Sequence, residues 1–178
     1  MAELTPMMQQ YMQTKKEYPD CILFYRLGDF YEMFFDDALT ASKELEITLT
    51  GKNCGLEERA PMCGVPYHAV DGYLNRLVSK GYKVAICEQM EDPATAKGLV
   101  KRDVVRIVTP GTNLDTQALD ETKNNYIMCI AYASDHYGVS VADVSTGEYM
   151  VTEIENSEKL FDEIYKFMPS ELICNEAF

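Results

Sequence analysis

A polar, acidic stretch at residues 112–125 is the feature that most constrains how this chain can fold. It has no sustained apolar period, whereas short apolar runs recur on both sides of it. It also divides the charge: residues 1–112 carry 13 Lys and Arg against 16 Asp and Glu, and residues 113–178 carry 3 against 13. We therefore predict one domain over residues 1–112, a linker over 113–125 and a second domain over 126–178.

The first part is predicted to mix helices and strands. Thr5 and Pro6 are a favourable cap and first residue for a helix that ends before Pro19. Two apolar runs around Gly28 and Asp29 are typical of a β-hairpin. The other expected elements are helices over 36–45 and 67–79, a short helix between Asp92 and Gly98, and strands over 21–26, 30–34, 47–49, 83–88 and 104–108. Residues 52–66, rich in Gly, Pro and charge, are predicted to form a loop.

The second part is predicted to contain three strands, a helix and a further strand. The strands cover residues 126–133, 138–144 and 148–154, the helix 157–168, and the last strand 171–174. Such a run, ending on a strand, indicates a domain that is cut off before completion. Both parts together give an α/β fold class.

Several kinds of site are excluded or disfavoured by missing motifs. The sequence contains neither a phosphate-binding loop of the form G-x-x-x-x-G-K-[ST] nor a dinucleotide fingerprint, so we expect this chain to hold no nucleotide cofactor and to be no enzyme on its own. Cys63 and His68 lie close in sequence, but two potential ligands do not make a zinc site. No apolar run reaches the length of a membrane span, so no membrane partner is expected.

Asp143 suggests an enzymatic alternative. It lies in a predicted strand near a turn, as in ribonuclease H-like nucleases, which use several carboxylates around paired metal ions. Glu148, Glu153 and Glu155 could contribute ligands to a metal-dependent nuclease or resolvase. A turn-capping Asp is the simpler interpretation. A third interpretation is a protein-interaction module that uses the acidic surface after Thr112.

The most informative segment is residues 24–35, FYRLGDFYEMFF. On a strand, residues i and i+2 share a face, so Phe30 and Glu32 point together and Tyr31 points to the opposite face. Taken alone, this pattern predicts a core aromatic side chain beside a carboxylate at a sheet edge.

Five sequence blocks together resemble the N-terminal part of the bacterial DNA mismatch-repair proteins of the MutS family. They occur in the family's order and cover most of residues 5–112. The blocks are TPMMQQY (5–11), FYRLGDFYEMFFDDA (24–38), GVPYHAV (64–70), AICEQMEDPATAKG (85–98) and VVRIVTPGT (104–112). The resemblance implies a mixed-sheet mismatch-recognition domain followed by an incomplete connector domain, which in the family has a ribonuclease H-like fold without known nuclease activity.

The resemblance also implies which residues read a mismatch. The family's Phe-x-Glu motif matches Phe30 and Glu32, with the Phe inserted from the minor groove onto a mispaired base and the Glu hydrogen-bonded to that base. By the flanking blocks, Lys52 and Arg102 would hold phosphates and Met62 would brace the wedge. As an anion Glu32 could accept a hydrogen bond from a ring N–H, and in its protonated form it could donate one to a ring acceptor. The sequence leaves both states open.

For the longer protein of which this chain is expected to be a piece, the resemblance implies further properties. They are ATP and Mg²⁺ as cofactors, mismatched double-stranded DNA as a partner, a homodimer, contacts with downstream repair proteins through the connector domain, and a cytoplasmic, nucleoid-associated location. The formal net charge of −13 opposes DNA binding by this chain taken whole, because phosphates are neutralised by Lys and Arg.

Overall fold

A computed structural model of the protein describes residues 3–114 and 123–178. The chain divides into two compact units, Met1–Val108 and Thr109–Phe178. The first unit combines several helices with a mixed sheet and the second combines the helix Ser157–Phe167 with another mixed sheet, so the predicted α/β class is confirmed. Residues 115–122, most of the predicted linker, lie outside the described residues, so the domain limits stay a prediction. Within the described ranges, no helix is both long enough and apolar enough to span a bilayer.

The first unit is built on a six-stranded sheet with the order β3-β4-β2-β1-β5-β6. Its strands are β1 (Cys21–Leu27), β2 (Phe30–Phe34), β3 (Thr50–Lys52), β4 (Ala60–Pro66), β5 (Lys83–Gln89) and β6 (Arg102–Val108). Only the β1–β5 pair is parallel; the other neighbours are antiparallel. The hairpin of β1 and β2 therefore lies at the centre of the sheet.

Helices cover both faces of this sheet. They are α1 (Pro6–Glu17), α2 (Phe35–Leu45) and α3 (Val70–Val78), the last preceded by a 3₁₀ turn at Tyr67–Ala69. Helix α1 buries Met8 and Tyr11 against one face, together with Leu23, Tyr25 and Phe34. Helices α2 and α3 cover the other face, which carries Phe24, Tyr31 and Met33 from the same two strands. Alternate residues of each central strand thus enter two different cores.

Three local predictions are wrong in this unit. Strand β3 begins at Thr50 rather than covering residues 47–49, and residues 60–66, predicted as loop, form β4. Pro61 argues against a strand when the sequence is considered alone. The proline is tolerated in β4 because, at this position, β4 pairs only with β3, through Gly51. After Asp92 the chain makes a single turn, in which the Asp92 carbonyl accepts from Thr95 and Ala96 N–H groups, and no helix follows, because this segment has no apolar stripe to bury.

The second unit is a four-stranded sheet with the order β10-β7-β8-β9. Its elements are β7 (Tyr126–Ala133), β8 (His136–Asp143), β9 (Glu148–Ile154), α4 (Ser157–Phe167) and β10 (Glu171–Cys174). Strands β7, β8 and β9 form an antiparallel meander, and β10 joins β7 in parallel after helix α4. The helix packs Leu160 onto Met128, Ile130, Val139 and Val141.

The turn between β8 and β9 is organised by the carboxylate of Asp143, which is 1% exposed. Oδ1 accepts from the N–H and hydroxyl of Ser145 (2.8 and 2.6 Å) and from the N–H of Thr146 (3.3 Å), and Oδ2 accepts from the N–H of Asn125 (3.0 Å). Burial opposes ionisation, but these hydrogen bonds outweigh it and hold the pKa of Asp143 below its usual value. Asp143 therefore ties the turn to the start of β7.

We expect Asp143→Asn to lower the free energy of unfolding by about 1–3 kcal/mol at neutral pH, because an amide N–H₂ would face donors in place of a carboxylate oxygen. Because the folded-state pKa is depressed, the stabilisation is present above the unfolded pKa of about 3.9 and is lost as the pH falls through the folded-state value. Urea unfolding of the parent and the variant at pH 7 and at acidic pH measures both effects. Asp135→Asn, in the exposed β7–β8 turn, is the matched control, and an equal response of the two variants would contradict the assigned role.

Candidate nucleic-acid interface

The tip of the β1–β2 hairpin presents Phe30 to the surface. Leu27 pairs with Phe30 across a two-residue turn of Gly28 and Asp29. Gly28 has φ +59°, a left-handed conformation that suits glycine at the first position of such a turn. The Phe30 side chain is 46% exposed, although it opens a strand whose next residues are largely buried. The ring is therefore free to contact another molecule.

The turn that carries Phe30 is braced from the opposite face of the sheet. The Arg26 Nε donates to the Gly28 carbonyl (2.5 Å), and the Tyr67 N–H donates to the Asp29 carbonyl (2.9 Å). The Arg26 guanidinium lies 3.7 Å from the centroid of the Tyr67 ring. Both turn residues are thus held, which fixes the position of Phe30 relative to the sheet.

Tyr31, between the two predicted reading residues, belongs to the protein interior. It is 5% exposed and lies in the core covered by α2 and α3. Its hydroxyl donates to Glu88, whose carboxylate also lies 3.9 Å from Arg26. Burial, with the neighbouring Glu88 carboxylate, raises the pKa of Tyr31 to about 12. Tyr31 anchors the strand from which Phe30 and Glu32 project.

Glu32 lies on the same face as Phe30 and is paired with Lys52. The Lys52 Nζ is 2.5 Å from the Glu32 Oε2, and the two side chains are 32% and 17% exposed. Glu32 pairs with Gly64 of β4, and a Cβ built at Gly64 would lie 3.5 Å from the Glu32 Cγ. The aliphatic part of the Glu32 side chain therefore lies over Gly64, at ordinary van der Waals distance from any side chain at that position.

Met62 lies beside this ion pair. It pairs with Phe34 on one side and with Thr50 on the other, and its half-buried side chain packs against the core under α1. Phe30, by contrast, pairs with Pro66, four residues further along β4. The structure thus brings Glu32, Lys52 and Met62 together, with Phe30 at the adjoining tip.

Arg102, the fifth predicted residue, is held by protein groups. Its Nε donates to the Arg26 carbonyl (2.8 Å), and its Nη1 donates to the Gln10 side chain (3.1 Å) and the Val100 carbonyl (3.0 Å). Its guanidinium also lies 5.1 Å from the Tyr25 ring centroid. Arg102 thereby connects β6 with β1 and α1, while its Nη2 group makes no hydrogen bond with the described residues.

Sequence reasoning missed Arg26 and Tyr67. Both lie inside blocks that carry the family resemblance, but 40 residues separate them, and their contact depends on the pairing of β2 with β4. Because residues 60–66 were predicted as loop, the sequence offered no reason to place Tyr67 beside the hairpin turn.

The nuclease alternative is not supported and is withdrawn. Asp143 is buried, and its two oxygens are occupied by the turn. Glu148 accepts from Tyr126 and Asn124, and Glu153 contacts His136. In the part of the chain that the structure describes, no group of three or more His, Cys, Asp or Glu residues could hold a metal ion. Cys63 is buried in β4, and His68 is exposed.

Comparison with known proteins places the two units in one family. A family model described as MutS domain I matches residues 5–117, and one described as MutS domain II matches residues 125–178. Proteins named DNA mismatch repair protein MutS are 71% identical in Lachnoclostridium phytofermentans and 65% identical in Acetivibrio thermocellus, each over the whole chain, and 64% identical in Ruminiclostridium cellulolyticum over 98% of it.

The chain spans about a fifth of the length of these relatives: 19%, 21% and 20%, respectively. The domain I match alone covers more than half of the chain. This chain therefore belongs to the MutS family of DNA mismatch repair proteins, and it matches the family's domain I over residues 5–117 and domain II over residues 125–178.

Proposed function

We propose that this chain is the part of a longer mismatch-repair protein that reads mispaired or looped-out bases in duplex DNA. The observation that carries the proposal is the exposed Phe30 ring at the tip of a braced hairpin, with Glu32 on the same face. An apolar ring that is held outward by a rigid turn is suited to insertion between bases. The names of the relatives support the same conclusion.

Phe30 would act as a wedge that tests how easily a base step can be opened. Inserting an apolar side chain costs a few kcal/mol of lost base stacking per step, and this cost is lower at a mispaired step, which is already weakened. Stacking of the base on the aromatic ring returns about 1–3 kcal/mol. The wedge thus reads deformability rather than base identity, which lets one site accept many different mispairs.

Glu32 would hydrogen-bond the base that Phe30 displaces. Its Oε2 is taken by Lys52, and Oε1 makes no hydrogen bond with the described residues, so this oxygen is available to a donor on a base. The Lys52 ammonium group donates to Oε2, so Oε1 is the oxygen that would face the base.

The three supporting residues have different geometries. Met62, packed between Phe34 and Thr50, would brace the base of the site. Arg102 would reach a phosphate through Nη2 while its other nitrogens stay bonded to the protein. Lys52 would meet phosphates with the part of its ammonium group not bonded to Glu32. Such phosphate contacts would position the DNA without reading its sequence.

The remainder of the longer protein would supply what this chain lacks. We propose that it binds ATP and Mg²⁺, forms a homodimer and contacts downstream repair proteins through the connector domain, in a nucleoid-associated protein of the cytoplasm. The net charge of −13 on this chain supports the need for positive DNA-binding surface elsewhere in that protein.

In the full-length protein, we expect Phe30→Ala to weaken binding to a mispaired duplex by roughly 5- to 150-fold, which corresponds to the loss of about 1–3 kcal/mol of stacking. Binding to a fully paired duplex should change little, because phosphate contacts persist. Fluorescence anisotropy with matched paired and mispaired duplexes measures both affinities.

Leu39→Ala is the matched control for the wedge variant. Leu39 is 47% exposed, close to the 46% of Phe30, but it lies on helix α2 over the opposite face of the sheet. We expect this variant to keep the parent's selectivity. If Phe30→Ala also keeps it, the proposed reading role is wrong.

We expect Glu32→Ala to tighten binding to fully paired DNA by about three- to tenfold, because a carboxylate that faces phosphates is removed. The ratio of mispaired to paired affinity should fall, because the base loses its acceptor. Titrations at two salt concentrations test the electrostatic origin of the change, which should shrink as salt rises. Unchanged affinity for paired DNA would count against the repulsion.

A further inference from the structure

We propose that Lys52 is a positioning residue that acts through Glu32: it serves as the built-in counter-ion of the reading carboxylate rather than mainly as a phosphate clamp. This inference rests on the proposed function of Phe30 and Glu32. In this role, Lys52 reduces the carboxylate's repulsion of DNA and directs one carboxylate oxygen to the displaced base.

The route of the Lys52 side chain is the first observation. Lys52 pairs with Ala60 on β4, whereas Glu32 pairs with Gly64, so the two residues are four positions apart along that strand. The Lys52 side chain therefore extends past Met62, along the protein surface, to reach the carboxylate. A lysine that served phosphates alone would gain nothing from lying along the sheet in this way.

Two contacts hold the Lys52 ammonium group beside Glu32. It lies 2.5 Å from the Glu32 Oε2 and 5.6 Å from the centroid of the Phe34 ring, whose residue is 1% exposed. The strand that carries Lys52 is itself secured, because the Arg59 guanidinium donates to the Gly51 carbonyl. Lys52 is thus placed by its backbone and by an aromatic face as well as by its partner.

The second observation is that the two oxygens of the Glu32 carboxylate differ in their contacts. Lys52 occupies Oε2, and Oε1 has no hydrogen-bond partner among residues 3–114 and 123–178. The Lys52 ammonium group therefore leaves Oε1 as the oxygen that an incoming donor can reach. The counter-ion thereby orients the free oxygen as well as neutralising the group.

The electrostatic consequence differs from that of a phosphate contact. A phosphate-binding lysine adds affinity whether or not a carboxylate is nearby, and its loss reduces the salt dependence of binding by about one counter-ion. A counter-ion affects DNA affinity only while Glu32 is charged, because loss of the counter-ion then leaves an unpaired anion facing DNA. The two roles therefore predict different coupling between positions 52 and 32.

A double-mutant cycle in the full-length protein separates these roles. The variants are Lys52→Met, which keeps the apolar stem and removes the charge, Glu32→Gln, and both together. Binding is measured by fluorescence anisotropy on a paired duplex and on a duplex with one G·T mispair, at two salt concentrations. Lys52→Gln serves as a second charge-removing variant if methionine lowers the melting temperature.

We expect Lys52→Met to weaken binding to both duplexes by about tenfold when Glu32 is present and by less than about twofold in the Glu32→Gln background. Equal weakening in both backgrounds, with a smaller salt dependence, would assign Lys52 to the phosphates and overturn the proposal. No effect in either background would also overturn it.

Lys80 and Glu44 provide a matched ion pair elsewhere in the same unit. The Lys80 Nζ lies 2.8 Å from the Glu44 Oε2, and the pair joins the end of α3 to α2 over the other face of the sheet. The corresponding cycle with Lys80→Met and Glu44→Gln should leave both DNA affinities unchanged. Coupling of the same size at this pair would show a general charge effect and would overturn the local role of Lys52.

Phe30→Ala, measured on the same duplexes, distinguishes failure of the proposed reading function from failure of the counter-ion role of Lys52. If selectivity survives Phe30→Ala, the proposed function itself fails. If selectivity is lost but positions 52 and 32 are additive, the reading function stands and the counter-ion role of Lys52 fails.

Discussion

The register of the β1–β2 hairpin is the constraint on which the candidate site depends. Because side chains alternate along a strand, a slip of one residue would turn Phe30 and Glu32 towards the core of α2 and α3 and would expose Tyr31. The two-residue turn at Gly28 and Asp29 sets this register. Hydrogen bonds from Arg26 and Tyr67 then hold both turn carbonyls.

Residues of the same hairpin have different roles on the two faces of the sheet. Tyr31 and Phe34 are buried in different cores, so the strand between them is anchored from both sides. Phe30 can therefore remain exposed and still be held in position, because the buried side chains of Tyr31 and Phe34 anchor its strand. The local ion pair of Glu32 with Lys52 places a carboxylate on this surface without adding net charge there, which matters in a chain with a net charge of −13.

The sequence predicted most helices and strands of both units because their apolar runs were bounded by clear caps and turns, as at Thr5 and Pro6. It did not predict β4, since Pro61, Gly64 and Pro66 resemble loop residues and the strand is buried through contacts that only the assembled sheet defines. The same gap concealed the stack of Arg26 on Tyr67. Patterning placed Phe30 and Glu32 on one face, but the pairing of Glu32 with Lys52, 20 residues away, follows from the β2–β4–β3 order and could not be read from spacing.

Two carboxylates in this chain show how geometry decides between a structural and a functional role. Asp143 was a candidate metal ligand, yet both of its oxygens are saturated by hydrogen bonds within a buried turn, so a ligand could reach it only by breaking the turn. Glu32 has one oxygen committed to Lys52 and one without a partner in the described part of the chain, beside an exposed aromatic ring. A carboxylate with remaining hydrogen-bonding capacity, held by a counter-ion on a rigid strand, is preorganised to receive a donor from outside the protein. The candidate site is therefore distinguished by this unused capacity rather than by the presence of acidic residues alone.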